Sequence, residues 1–299
     1  MEVESAHASC LDIALPGYAL TDQLGVGGYG EVWRATAPGG LTKAVKFIFG
    51  HYSDKRATRE LKSLETIKTV RHPFLISLER IEMLEDRLVI ITERADSSLK
   101  DRFDQCVAGG MPGIPRDELL AYLRDTADAL DFLSAKHSLQ HLDVKPENLL
   151  ILAGHVKVAD FGLVKDVANS QESLVGGLTP LYAAPEVFRG QPSPFSDQYS
   201  LAIVYQEMLT GSLPFRGATA AELTMQHLKD EPDLSGLPAA DRYTLARALS
   251  KDEGRRFSSC SEFVAALVAG GSQWHGASGA AERAAAVVNA TVDLPDAAA

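Results

Sequence analysis

The segment His141-Leu142-Asp143-Val144-Lys145-Pro146-Glu147-Asn148, followed by Asp160-Phe161-Gly162, collects groups that could act together on one phosphate. A carboxylate at Asp143 can orient an incoming hydroxyl and accept its proton. Lys145, two residues on, points the same way and can cancel charge on a transferring phosphoryl group. The amide oxygen of Asn148 and the carboxylate of Asp160 are hard oxygen ligands suited to Mg²⁺ beside phosphates. Singly, each is an ordinary polar loop residue. Jointly, with a short hairpin to bring 148 and 160 together, they point to phosphoryl chemistry.

A second cluster precedes it. In Leu24-Gly25-Val26-Gly27-Gly28-Tyr29-Gly30-Glu31-Val32, glycines at 25, 27 and 30 let a backbone approach phosphates closely, because no Cβ intrudes. A flexible β-turn would show the same spacing. A dinucleotide site would need a helix to begin at the glycines, whereas Glu31-Val32-Trp33-Arg34-Ala35 reads as a return strand, which favours a hairpin lid. Lys46, in Lys43-Ala44-Val45-Lys46, is either a snorkelling edge residue or the cation for the α- and β-phosphates. In the second role it needs an anion to hold it; Glu60 is the candidate, Glu65 the alternative, and an exposed-face role remains open for either.

These groups need strands and helices to position them. Tyr18–Gly25, Glu31–Ala37 and Leu41–Phe49 carry the β-branched and aromatic residues of strands. From Ser53 to about Val70, Leu61, Leu64 and Ile67 recur at helical spacing. Strand-like runs follow at Leu75–Met83 and Arg87–Thr92. Beyond Ala95 the pattern becomes mostly helical. Arg116–Lys136 and Ser196–Thr210 are strong helices, the latter stopped by Gly211 and Pro214. Weaker helical patterns occupy Thr219–Lys229, Ala240–Leu249 and Ser258–Ala269, and Leu149–Leu152 with Val156–Val158 reads as the hairpin between Asn148 and Asp160. The expected organisation is an N-terminal extension over 1–15, one domain over 16–269 and an Ala/Gly-rich tail over 270–299 that reads as disordered or as a linker. The domain divides into a β-rich small lobe (16–95) and a helical large lobe (96–269).

Composition excludes several classes. A chain of 299 residues with 45% apolar residues can bury a large core without disulfides. The formal charge of −11 repels phosphate backbones and argues against nucleic acid as a partner. Cys10, Cys106 and Cys260 fit no metal spacing and read as free thiols in a reducing compartment, hence a cytoplasmic chain. No run of apolar residues is long enough to span a membrane.

The motif set resembles the eukaryotic-type (Hanks-type) serine/threonine protein kinase family, which has bacterial members, and the resemblance runs from about Tyr18 to Val268. It implies an α+β, bilobal protein-kinase fold, with ATP and Mg²⁺ as cofactors and protein serine or threonine hydroxyls as acceptors. By similarity, Gly25, Val26, Gly27 and Gly30 belong to the glycine lid with Tyr29 at its tip. Val32, Ala44, Lys46 and Glu60 would lie around the nucleotide, Thr92 would be the gatekeeper, and Glu93-Arg94-Ala95 the hinge that receives adenine. Asp143 matches the catalytic base, Lys145 the phosphate-stabilising lysine, Asn148 and Asp160 the metal ligands. Glu186 of Ala184-Pro185-Glu186 would pair with Arg256, and Asp197 would hold the catalytic loop. Lys145 and Thr179 both resemble the serine/threonine class.

One departure bears on regulation. Leu142 stands where most members carry an arginine that clamps a phosphorylated activation loop; a leucine cannot, so activity is not expected to depend on loop phosphorylation through that contact. Two rivals remain: a pseudokinase scaffold, which usually lacks one of Lys46, Asp143 or Asp160, and a small-molecule phosphotransferase, which lacks the Thr179–Glu186 run.

Overall fold

The computed structural model describes residues 15–27, 30–48, 61, 64–85, 87–161, 165–166 and 180–270. Glu60, Tyr29, Gly162, Ser170, Ser173, Thr179, Cys10 and the 271–299 tail lie outside them.

The small lobe is built on a five-stranded antiparallel sheet ordered β1-β2-β3-β5-β4. Its strands are β1 (Ala19–Gly27), β2 (Gly30–Thr36), β3 (Thr42–Ile48), β4 (Leu78–Leu84) and β5 (Arg87–Glu93). Because side chains alternate across a strand, β3 and β5 feed two separate clusters. Val45, Phe47, Val89 and Ile91 pack with Trp33, Ala35 and Leu15 on one face. Ile48, Leu88 and Ile90 pack with Leu64 on the other. Leu64 belongs to α1, helical at 61 and 64–67, which ends three residues short of the expected Val70. Strands buried on both faces read as continuous apolar runs, and Leu88-Val89-Ile90-Ile91 is one. Leu15, placed by sequence in the extension, is buried in this core.

The register defines the working face. Val32 lies opposite Lys46 and Gly25; Ala44 lies opposite Thr92, and Lys46 opposite Ile90. Gly25, Val32, Ala44, Lys46 and Thr92 therefore share one face.

The large lobe begins with β6 (Ser97–Ser98) and α2 (Leu99–Ala108). Helix α2 has no counterpart among the elements expected from sequence. It is amphipathic: Leu99, Phe103 and Cys106 recur at helical spacing, Leu99 and Cys106 buried and Phe103 packed against the core. Its start is signalled by a capping box, in which Ser98 Oγ accepts from Asp101 N and Asp101 Oδ2 accepts from Ser98 N. Helix α3 (Arg116–His137) buries Leu119, Leu120, Leu123, Ala127, Leu130 and Leu133 and stops at Ser138, in a left-handed conformation at φ 56°. After β7 (Leu139–Gln140) and a turn at Pro146–Asn148, β8 (Leu149–Leu152) and β9 (His155–Val158) form the expected hairpin. Strand β10 (Lys165–Asp166) pairs with β7. Helix α4 (Pro185–Phe188) precedes α5 (Ser196–Thr210), which is buried almost all round and forms the spine of the lobe. Helices α6 (Ala220–Lys229), α7 (Ala239–Ala248) and α8 (260–270) complete it. Among the described residues no helix is long and apolar enough to cross a membrane.

Candidate active site

Asp160 and Lys46 meet between the lobes: Lys46 Nζ donates to Asp160 Oδ1 at 2.9 Å. Desolvation at the cleft wall works against the charge on Asp160. The Lys46 ammonium, aided by Lys145 and His141, outweighs it and holds the carboxyl below its ordinary range. Asp160 has φ 63°, a left-handed conformation uncommon for a residue other than glycine.

The loop that carries Asp143 is locked from behind. Asp197, at the start of α5, accepts the backbone N–H of His141 at 2.7 Å and of Leu142 at 2.8 Å. Burial pushes the Asp197 carboxyl upward, opposed by His141 and by the two backbone N–H donors. His141 is fully buried; its Nε2 lies 3.0 Å from the carbonyl of Ala159 and its Nδ1 accepts from Asp143 N at 3.3 Å. One imidazole thus bridges the Asp143 loop and the residue before Asp160. Leu142 adopts φ 63° with its side chain in the main core.

Around Asp143 the polar atoms converge. Lys145 Nζ donates to Asp143 Oδ2 at 2.7 Å. Asn148 Nδ2 donates to Asp143 O at 2.8 Å and to Oδ2 at 2.9 Å. Asn148 is tied to the hairpin, its carbonyl accepting from Ala159 N at 2.9 Å. Committing the amide nitrogen to Asp143 assigns the Oδ1 of Asn148 as the oxygen left for a cation. Asn148 Oδ1 and Asp160 Oδ2 are hard oxygens. Among the described residues no group of three or more His, Cys, Asp or Glu is placed to hold a metal. Two protein oxygens fit Mg²⁺, which keeps waters and phosphate oxygens in its shell.

The remaining expected residues divide. Val32, Ala44 and Lys46 share the sheet face that meets Asp160. Val26 lies opposite Glu31, with its side chain on the other face and 65% exposed, which leaves its backbone on the glycine side. Gly30 has a reason the spacing did not reveal. A Cβ there would stand 2.2 Å from the Phe47 carbonyl oxygen, so close approach of β2 to β3 demands glycine. At Gly25 a Cβ would meet nothing among the described residues within 4 Å. Glu65, the alternative partner of Lys46, sits on the exposed side of α1. Glu93 and Ala95 lie where β5 leaves the small lobe. The Glu93 side chain turns to Lys157 and Ser77, contacts that no sequence pattern announces.

At the far end of the site, Glu186 and Arg256 form a buried two-pronged ion pair at 2.7 and 2.9 Å, as expected. Burial opposes the Glu186 charge, and Arg256 with the Ser196 hydroxyl holds its carboxyl below the ordinary range.

A five-stranded lobe set on a helical lobe, with a strand lysine on a carboxylate of the facing lobe and an Asp-Lys-Asn cluster beside it, defines the protein kinase class. Residues 18–269 match the model of the protein kinase domain, and the chain belongs to that family. It is 30% identical over 258 residues to the serine/threonine-protein kinase ULK3 of Mus musculus, covering 82% of this chain and 53% of that protein. To the serine/threonine-protein kinase PknF of Mycobacterium tuberculosis it is 30% identical over 273 residues, covering 84% and 56%. A probable serine/threonine-protein kinase PknB of Lactococcus lactis is 27% identical, covering 83% and 41%. The chain spans about half the length of the curated relatives it matches.

Proposed function

We propose that this chain is a serine/threonine protein kinase whose catalytic domain occupies 16–269, and that it moves the γ-phosphate of Mg·ATP onto a protein hydroxyl. The observation that carries the reading is the convergence of Lys145 and Asn148 on one oxygen of Asp143, with Asp160 and Lys46 paired alongside. Asp143 orients the acceptor hydroxyl and takes its proton as that oxygen bonds to the γ-phosphorus and the bond to the β-phosphate breaks. Lys145 and Lys46 offset charge on the transferring group and on the remaining phosphates. Asn148 and Asp160 would hold Mg²⁺, which when bound neutralises the phosphates and aligns them. The main chain of Glu93–Ala95 receives the adenine. Buried free thiols at Cys106 and Cys260 support a reducing compartment, the cytoplasm.

Leu142 gives the loop a different support from an arginine clamp. Its N–H is held by Asp197 and its side chain by the core, so the loop is anchored from inside. Activity is therefore expected to persist without phosphate on the 162–179 segment.

The test is transfer from labelled ATP with Mg²⁺ to the chain itself and to a generic basic protein, before and after phosphatase treatment. Label on serine and threonine, unchanged by the phosphatase, is the expected result. Nucleotide binding with no transfer would assign a scaffold instead, and loss of most activity after dephosphorylation would remove the Leu142 reading.

A further inference from the structure

Glu93 closes strand β5, and its side chain turns away from the sheet toward the large lobe. Its Oε1 accepts from two donors at once: the backbone N–H of Ser77 at 2.8 Å and Lys157 Nζ at 2.7 Å. The Glu93 N–H in turn donates to the Ser77 carbonyl at 3.2 Å. Both charged side chains are about four-fifths covered, Lys157 at 18% exposed and Glu93 at 22%. This is a charge-assisted contact shielded from solvent, unlike a surface pair of little consequence.

Its place in the chain gives the pair its meaning. Ser77 leads into β4 and belongs to a stretch that is itself pinned to β9: Ile76 N donates to the Val158 carbonyl at 2.9 Å and Val158 N to the Phe74 carbonyl at 2.8 Å. Lys157 sits on β9 beside Val158, three residues before Asp160. On the other side, the chain leaving Glu93 is caught by the same hairpin, with Asp96 N donating to the Ile151 carbonyl at 2.8 Å and Asp96 Oδ2 accepting from Ala153 N at 3.0 Å. The β8–β9 hairpin therefore grips the interlobe connection on both sides of residues 94 and 95. At Glu93 itself the grip is one side-chain ion pair. Burial pushes the Glu93 carboxyl upward, but Lys157 and the Ser77 N–H outweigh it and keep the group ionised through the neutral range.

We propose that Lys157 is a positioning residue for the nucleotide: through Glu93 it fixes the main chain of residues 93–95 at the spacing the adenine needs. This rests on the reading of 93–95 as the adenine-receiving segment. Lys157 has no role in the transfer step, because its ammonium is committed to Glu93. Its loss is therefore expected in nucleotide affinity and not in turnover.

The experiment measures the Kd of Mg·ATP by displacement of a fluorescent nucleotide, together with the KM and kcat of transfer, for wild type, Lys157→Met, Lys157→Gln, Lys157→Arg and Glu93→Gln/Lys157→Met. Lys157→Met and Lys157→Gln are expected to weaken Mg·ATP about tenfold, the loss of one hydrogen-bonded charge contact. Turnover at saturating ATP should stay close to wild type, and Lys157→Arg should restore most of the affinity. The double variant should be no weaker than Lys157→Met, because the two changes remove one interaction. Affinity unchanged in both neutral variants, or a fall in kcat at constant Kd, would overturn the proposal. Should Lys157→Met not fold, the comparison of Lys157→Gln with Lys157→Arg decides the same question. A wild type that binds Mg·ATP but transfers nothing would sink the kinase reading alone, since the affinity measurements would still decide the role of Lys157.

Discussion

Asp143→Asn is expected to lower phosphate transfer by a factor of about 10²–10⁴, the range for losing a positioned general base. Mg·ATP affinity should remain close to wild type. The argument is geometric. Asp143 Oδ2 accepts from Lys145 Nζ and Asn148 Nδ2. An asparagine can keep its amide oxygen there, because only an oxygen can face two donors. Its NH₂ then replaces Oδ1 and offers an acceptor hydroxyl a donor where a base is required. The fold has little reason to change, because Asp143 N remains bonded to His141 and Asn148 still holds the Asp143 carbonyl. Single-turnover transfer and a nucleotide titration on the same preparation separate chemistry from binding. Transfer by Asp143→Asn within about tenfold of wild type would remove Asp143 from the base role.

The parts of the molecule that are legible in the sequence are those whose physics is local or periodic. Helix α5 is legible with its observed bounds, Ser196–Thr210, because a long apolar run closed by a glycine has one economical solution; Gly211 takes φ 69° as the cap. The β8–β9 hairpin is legible for the same reason. Helix α2 is missing from the expected elements although its signals are local: Leu99, Phe103 and Cys106 recur at helical spacing and the Ser98–Asp101 capping box marks the start, but at ten residues the repeat spans fewer than three turns. The glycine spacing singles out Gly30 for ligand access, whereas the Phe47 carbonyl is what excludes a Cβ. Contacts such as Asp197 to the 141–142 backbone become expectations only through the family resemblance, because nothing periodic links residues 55 and 56 positions apart. Glu93 with Lys157 is invisible in the same way: 64 residues separate them, and either alone is an ordinary surface charge. The working face of the small lobe becomes definite once strand register places Val32, Ala44, Lys46 and Thr92 together and sets Val26 apart.

Arg256→Met is expected to destabilise the domain by about 3–5 kcal/mol, because it strands a buried carboxylate. The Arg256 side chain is fully covered and that of Glu186 is 4% exposed. Besides the two prongs to Glu186, Arg256 donates to the carbonyls of Phe195 at 3.0 Å and Ser250 at 3.0 Å, and lies 4.9 Å from the Tyr199 ring. It therefore joins the α4 end of the 180–186 run to α5 and to the chain after α7. Urea unfolding at neutral pH reads the loss, which for a domain of this size corresponds to a melting shift on the order of 10 °C. Glu186→Gln added to Arg256→Met should recover part of it, since the stranded charge is then gone. The pH dependence gives an independent check. In wild type the Glu186 pKa lies below its unfolded value, so its contribution is full above the ordinary carboxylate range and fades as pH falls through the lowered one. In Arg256→Met, burial is no longer countered by the guanidinium, and Glu186 takes up a proton at higher pH than in the unfolded chain. The stability gap between the two proteins should therefore narrow steadily on acidification. A gap independent of pH would mean that the packing of the Arg256 side chain, and not its charge, holds the 180–186 run in place.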